Sequence, residues 1–239
     1  MSEESVNTII SFLNQDQIKN MNMIHFMENN RIHSLERIGD SVLLRGESDC
    51  QWVYISSPNE DELSTVIDRL TEDDRHFALV EDWMLSQLLK DQMPVWQLST
   101  MKLVLHKYAK IPSVSRYPIA PLTVDDAWYV YENSEYQSVT SPEYIHERIR
   151  QGPSAGISVA GELVAWTMTH DDGAVGFLHV LEAHRRKGYS YALTLYMCHK
   201  LRVQGKMPYV HIEETNTRSM NLATKVGFVK DRRVHWFEI

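Results

Sequence analysis

Cysteine is scarce. The two residues, Cys50 and Cys198, cannot build a disulfide framework, and neither lies in a CxxC or Cys/His metal pattern. The expectation is a reducing, cytoplasmic setting and no bound metal. Basic residues are also in deficit, 24 Lys and Arg against 32 Asp and Glu, for a formal net charge of −8. That balance excludes broad binding to nucleic acid or to an anionic membrane, since both need a basic face. No apolar run approaches the roughly 18 residues of a membrane span. The opening MSEESVNTII has neither the basic n-region nor the apolar core of a secretion leader. Gly/Ser-rich linkers, low-complexity tracts and exact repeats are missing too. What remains, 43% hydrophobic and 23% charged over 239 residues, is a globular chain of one large domain or two small ones.

The first half reads as a small α/β or α+β domain. Apolar residues at helical spacing over Val6 to Asn29, interrupted near Asn14 to Asp16, predict one or two amphipathic helices. Strand-like runs follow at Ile32–Ile38, Val42–Arg45 and Gln51–Ser56, a meander. Then come a helix over Glu60–Leu70, a strand at His76–Val80, a helix at Trp83–Leu89 and a long strand at Val95–Tyr108. The proline-bearing run Lys110 to Pro121 marks the boundary, dividing the chain at 1–110 and 117–239. Beyond it, helices are expected over Thr123–Asn133 and from Pro142 to Ile149, the second capped by Ser141. A hairpin across Gly161-Glu162 and a turn at Asp171-Asp172-Gly173 lead into a central strand, Ala174 to Leu181.

The stretch Gly176 to Ser190, GFLHVLEAHRRKGYS, organises this half. Its apolar start predicts a strand buried on both faces. Arg185, Arg186, Lys187 and Gly188 then form a basic turn, and Leu193, Met197 and Leu201, four apart, predict a helix beginning near Tyr189. Strand, basic turn and helix start together suit an anion. First-turn N–H groups lack partners, the helix dipole adds positive charge, and glycine lets the main chain approach closely. A diphosphate is the natural guest. Neither the P-loop pattern nor the dinucleotide fingerprint is present.

Arg185-x-x-Gly188-x-Ser190 after Leu-His-Val resembles the coenzyme A loop of the GNAT N-acyltransferases, with serine in the last place and Glu182 where proline is common. The downstream strand Tyr209 to Glu213 and the segment NTRSMNLATKVGF, Asn216 to Phe228, follow in the family's order. Within the superfamily VHIEETNTRSM is most similar to the glycine N-acyltransferase and FR47-like branch. The resemblance covers roughly Ile119 to Ile239. It implies the GNAT fold, a mixed central α/β (α+β) sheet flanked by helices. The smaller N-terminal α/β domain, whose element order partly parallels it, is read as a candidate degenerate copy. An unsplayed sheet in that domain counts against the copy.

The resemblance also implies acetyl-CoA or another short acyl-CoA as co-substrate. It places the coenzyme against Leu178, His179 and Val180 of the strand, Arg185, Arg186, Lys187, Gly188, Tyr189 and Ser190 of the loop, and Asn216. The Val180 N–H would polarise the thioester carbonyl. The His179 side chain, on the opposite face of a regular strand, reads as structural, and Asn216 as the N-cap of the last helix.

The usual acid and base of the family are missing, since Ala223 stands at the tyrosine position and Ala174 at the glutamate position. His211 and Glu213, alternating along the next strand, match a His-x-acid pattern of the glycine N-acyltransferase branch and are the substitute catalytic groups. Asp172 lies beside the vacant glutamate position. Trp83, Trp96, Trp128 and Trp166 read as core or interface residues.

The implied activity is transfer of an acetyl or short acyl group to a primary amine of a small molecule, amino acids included. The alternatives are a non-catalytic acyl-CoA sensor, favoured by Ala223 and Ala174, and a protein N-terminal or lysine acetyltransferase. An edge strand at Val234 to Ile239 offers a route to a homodimer.

Overall fold

The computed structural model describes residues 3–90, 92–113, 117–134, 137 and 140–239, so residues 114–116 of the expected linker lie outside it. The elements in order are α1 (Glu3–Leu13), α2 (Gln17–Asn29), β1 (Arg31–Ile38), β2 (Ser41–Glu47), β3 (Gln51–Ser56), α3 (Glu60–Ile67), β4 (His76–Glu81), α4 (Leu85–Leu89) and β5 (Trp96–Val104). There follow β6 (Ile119–Ala120), α5 (Ala127–Glu132), α6 (Pro142–Gln151), β7 (Ser154–Val159), β8 (Glu162–Thr169), β9 (Val175–Val180), α7 (Tyr189–Val203), β10 (Tyr209–Ile212), α8 (Thr217–Val226) and β11 (Val229–Glu238). Among the described residues no helix is long and apolar enough to cross a membrane.

The chain forms two compact units, Met1–Met101 with Arg232–Ile239, and Lys102–Asp231. The division therefore falls at Met101/Lys102 rather than within 110–117, and the last strand is counted mostly with the first unit.

In the first unit the sheet order is β1-β2-β3-β4-β11-β5. Asp16 ends the break in the N-terminal helices by accepting from the Lys19 N–H at 3.2 Å, and Asn59 caps α3 through the Glu62 N–H at 2.9 Å, each satisfying an orphan donor. Alternate residues of β2 and β3 face opposite ways. Val42, Leu44 and Tyr54 pack under α1 and α2, while Leu43, Val53 and Ile55 pack with Leu63, Val66 and Phe237 on the other face. Because β11 lies between β4 and β5, Val234 to Ile239 is not an edge, and the expected route to a homodimer through it is withdrawn.

The element order of this unit, helix pair, three-strand meander, helix, strand, helix, strand, repeats in the second. The seam does not. β3 and β4 pair in parallel at Val53–Phe77 and Tyr54–Ala78, so the sheet here is closed where the expectation of a copy called for it to open.

In the second unit β6-β7-β8-β9 form an antiparallel sheet. Ser141 caps α6 through the Tyr144 N–H at 3.1 Å, with Pro142 at the first helical position. Apolar residues of α5 and α6 (Val130, Ile145, Ile149) pack on Trp166 and Met168 of β8. α7 lays Ala192, Leu193, Met197 and Leu201 against the sheet and buries them fully, each large side chain contributing on the order of 1.5–3 kcal/mol. β10 lies beside β9 but pairs with the tail of β5 instead. The Leu105 N–H continues that pairing onto the Pro208 carbonyl at 2.8 Å.

Candidate functional site

Neighbouring strands that share no ladder leave an open seam, and β9 shows it. Gly176 to His179 are half-buried, which corrects the expectation of a strand buried on both faces. An apolar run suggests two covered faces, whereas one flank is open because β10 is paired elsewhere.

The strand is also irregular. From Trp166↔His179 to Met168↔Gly176, two steps along β8 face three along β9, a bulge that re-aims the side chains around it. Phe177 takes a φ of +50° there, rare for an aromatic residue. The bulge is supported locally, for the Thr167 hydroxyl donates to the Gly176 carbonyl at 2.7 Å. A Cβ on Gly176 would fall 2.0 Å from His170 Nε2, so that position has to be glycine while His170 covers it. The His179 ring stacks on Trp166 with centroids 4.8 Å apart.

Past the bulge the ladder is regular, and it fixes how Val180 faces. The Leu181 N–H donates to the Val164 carbonyl at 3.0 Å. Antiparallel residues alternate in the direction of their polar groups, so the N–H and C=O of Val180 turn away from β8, toward the seam. The Val180 carbonyl is taken by Arg185 Nε at 3.2 Å. Its N–H points at the same open side.

The basic turn then winds tightly into α7. Arg186 has φ +63° and Gly188 φ +86°, left-handed conformations that cost nothing at glycine. No side chain caps the N-terminus of α7, so its first-turn N–H groups and dipole face outward. Arg185, Arg186, Lys187 and Gly188 are exposed, Ser190 is half-buried and Tyr189 is buried. Lys187 Nζ stands 3.5 Å from His184 Nδ1. One further residue, not singled out from sequence, belongs here. The Tyr117 hydroxyl donates to the Lys187 carbonyl and its ring meets Tyr189 edge-on at 4.9 Å. An isolated tyrosine 70 residues upstream carries no local signal.

At the starting ends of β9 and β10 the two strands are tied together. Tyr209 donates its hydroxyl to the Asp172 carbonyl, and His211 Nε2 lies 3.2 Å from Asp172 Oδ2. The Ala174 N–H holds the other carboxylate oxygen at 3.0 Å. Burial opposes charge on Asp172, but the hydrogen bond from His211, the nearby His170 and the Ala174 N–H outweigh it and keep the carboxyl well below the ordinary carboxylate range. Burial pushes His211 below its ordinary value in spite of the Asp172 carboxylate, and Lys102 and His170 act in the same direction.

Glu213 is placed differently. It is exposed, beyond the end of β10. The structure joins His211 to Asp172, whereas Glu213 lies past the strand end. Asn216 caps α8, accepting from the Ser219 N–H at 3.1 Å. Ala174 and Ala223 are buried. Trp166 is in the core, whereas Trp128 is 60% exposed. Among the described residues no cluster of His, Cys, Asp and Glu could hold a metal ion.

Residues 155–237 match the FR47-like protein family. The match covers 83 of the 239 residues, and over that stretch the chain is similar to FR47-like proteins. The FR47-like match spans the β9 bulge, the basic turn and the Asn216 cap alike. No curated protein matches the sequence. Among solved structures, a Drosophila protein aligns over 100% of this chain and 97% of its own at 19% identity, TM-score 0.80. A GCN5-related N-acetyltransferase from Kribbella flavida covers 93% of this chain and 94% of its own at 15% identity, TM-score 0.58. A tandem GNAT protein from the clavulanic acid biosynthesis pathway covers 91% and 87% at 13% identity, TM-score 0.51. At these identities the likeness is one of fold, and the fold is the mixed α/β GNAT fold.

Proposed function

We propose that the C-terminal unit binds acetyl-CoA or another short acyl-CoA and transfers the acyl group to a primary amine of a small molecule, amino acids being the first acceptors to test. The observation that carries this reading is the uncapped, glycine-led start of α7 with Arg185, Arg186 and Lys187 on it, directly continuing a strand whose Val180 N–H faces the open seam. That arrangement fits a diphosphate at one end and a thioester carbonyl at the other.

Acyl-CoA supplies the activated thioester carbon. The first-turn N–H groups of α7 and the loop cations hold the diphosphate, Gly188 leaving room for it. Leu178, His179, Tyr189, Ser190 and Asn216 border the seam, and the Val180 N–H donates to the carbonyl oxygen as charge develops there. Removing the amine proton falls to His211 or Glu213. Holding the two reactants in register is worth roughly 7–11 kcal/mol of the barrier, whereas a positioned base adds roughly 10²–10⁴-fold, so positioning carries most of the rate.

The test is thiol release from acetyl-CoA with a panel of amines, alongside calorimetry of coenzyme A. Amine-dependent release supports the transferase. A second reading, an acyl-CoA sensor, is favoured by buried Ala174 and Ala223 where relatives place their acid and base. Tight binding without release on any amine would establish that reading instead.

A further inference from the structure

We propose that the first unit carries a second reactive site, in which Ser99 is a nucleophile toward small carboxylic esters, His235 its general base, Gln97 the donor to the developing oxyanion and Asp82 the positioning residue of the imidazole. The site uses none of the residues of the acyl-transfer reading above and does not depend on it.

Three neighbouring strands supply the groups. β11 is an interior strand between β4 and β5, which brings His235 between Asp82, the first residue after β4, and Ser99 of β5. The Ser99 hydroxyl lies 2.8 Å from His235 Nδ1, and Asp82 Oδ1 lies 2.9 Å from His235 Nε2. Gln97 stands two residues before Ser99 on the same face of β5. Its Nε2 reaches Ser99 Oγ at 3.2 Å and His235 Nδ1 at 3.3 Å. No spacing in the sequence announces the group, because His235 lies 136 residues from Ser99 and 153 from Asp82.

The partners fix the tautomer. A carboxylate only accepts, so the hydrogen of the neutral ring is on Nε2, and the Gln97 amide donates, so Nδ1 carries the lone pair. The Ser99 hydroxyl therefore faces the basic nitrogen. A nucleophile in hydrogen-bond reach of a base that a third group orients is the arrangement that activates serine in hydrolytic triads, here with the two ring nitrogens exchanged. Exposure divides the roles in the same way. His235 is 3% exposed, whereas Ser99 and Gln97 are exposed, so the sheet holds the ring and the hydroxyl meets solvent. Asp82 is approached from a second side by Arg233 Nη1 at 3.7 Å.

The main chain is irregular at the same place. From His235↔Val80 to Phe237↔Phe77, two steps along β11 face three along β4, and Leu79 takes a φ of +57° within the bulge. Bulges and left-handed non-glycine residues concentrate at functional sites, where they re-aim side chains. This one adjoins Val80, the partner of His235, and ends two residues short of Asp82.

In the step itself Ser99 Oγ bonds to the ester carbonyl carbon as its proton passes to His235 Nδ1, and the Gln97 amide donates to the carbonyl oxygen as charge collects there. The C–O bond to the alcohol breaks, and the imidazolium gives its proton to the departing alkoxide. Water, deprotonated by the same ring, then releases the acid from Ser99 and restores the hydroxyl. Asp82 accepts from Nε2 throughout.

The experiment uses the full chain without coenzyme A. It reads hydrolysis of p-nitrophenyl acetate and covalent capture by a fluorophosphonate, located by peptide mass spectrometry. The wild type should turn over the ester and carry the phosphonyl group on Ser99, fluoride and the hydroxyl proton leaving. Ser99→Ala should lose both. Gln97→Ala should lower kcat about 10²-fold or more. Asp82→Asn should lower kcat about 10²-fold or more with KM within about twofold, Asp82→Glu should recover part of the loss, and ¹⁵N NMR should show His235 passing from the Nε2–H form in the wild type to a mixture of tautomers in Asp82→Asn. Asp82 and Gln97 are exposed, so these variants keep the test open if changes at buried His235 unfold the chain. Hydrolysis or capture in Ser99→Ala equal to the wild type overturns the proposal, as does a wild-type His235 protonated on Nδ1. A lower urea midpoint in Ser99→Ala, with neither capture nor turnover in the wild type, also overturns it and makes the network a clasp between strands.

Discussion

Tyr117 donates its hydroxyl to the main-chain carbonyl of Lys187, and its ring packs edge-on against Tyr189. The contact grips the basic turn from outside, on the residue before Gly188. A single hydrogen bond of this kind is worth roughly 0.5–1.5 kcal/mol. Tyr117→Phe should therefore lower stability by about that amount in urea unfolding and, by loosening the turn, weaken coenzyme A binding about 2- to 10-fold by calorimetry.

Gly188 is the residue of the turn that tolerates least. Its φ of +86° is left-handed, and an added Cβ would meet Tyr117 Oη at 3.4 Å, an ordinary contact. The cost of Gly188→Ala is then mainly backbone strain, about 1–2 kcal/mol, seen in urea unfolding. Relief of that strain would shift the first-turn N–H groups, so coenzyme A affinity should fall more than the stability does.

Asn216 caps α8. Asn216→Ala removes the acceptor for the Ser219 N–H and should cost about 1 kcal/mol. Asn216→Ser should restore most of it. Denaturant midpoints of the three proteins give the comparison.

The buried pair sets the response to acid. Asp172 and His211 both titrate lower in the folded chain than their ordinary values, so the unfolded chain binds the extra protons first and stability falls as pH falls. His211 acts first, below its ordinary value of 6.5, by a penalty that grows as the unfolded imidazole charges and the folded one does not. Asp172 contributes stability that is complete above its ordinary 3.8 and is lost below it. Each proton steepens the fall by at most about 1.4 kcal/mol per pH unit. Urea midpoints between pH 7 and 5 should drop in the wild type and flatten in His211→Gln.

The two thiols should separate cleanly. Burial pushes the Cys198 thiol up to about 12, although Arg202 pulls it down, while Cys50 is half-buried. Since the thiolate is the reactive form, a disulfide reagent at pH 8 should modify one thiol per native chain, Cys50, and the second only at the rate of unfolding. Fast modification of Cys198 would contradict its place in the α7 core.

Elements were legible wherever a local signal existed. The Asp16 break, the Ser141-Pro142 helix start, the Asn216 cap and the Gly227 helix end are each written in a few adjacent residues, and each is found in place. The central strand's environment was not legible, because whether Gly176 to His179 are covered depends on where β10 finds its partner. The bulge at Phe177 follows from register, which no short pattern of side chains announces. In the site, the basic turn was readable as strand, cations, glycine and helix. The Asp172–His211 pair was visible only as two unconnected suggestions, and Tyr117 not at all, since pairings across tens of residues leave no mark on spacing.

The return of β11 to the first unit, between β4 and β5, has a bearing on biosynthesis. Domains as a rule mature in the order in which the ribosome emits them. Here the N-terminal sheet must wait, lacking an interior strand, until residues 232–238 have emerged, so the half made first is the half completed last. Nascent chains halted before that point should present β4 and β5 as unmated edges, a natural client state for chaperones.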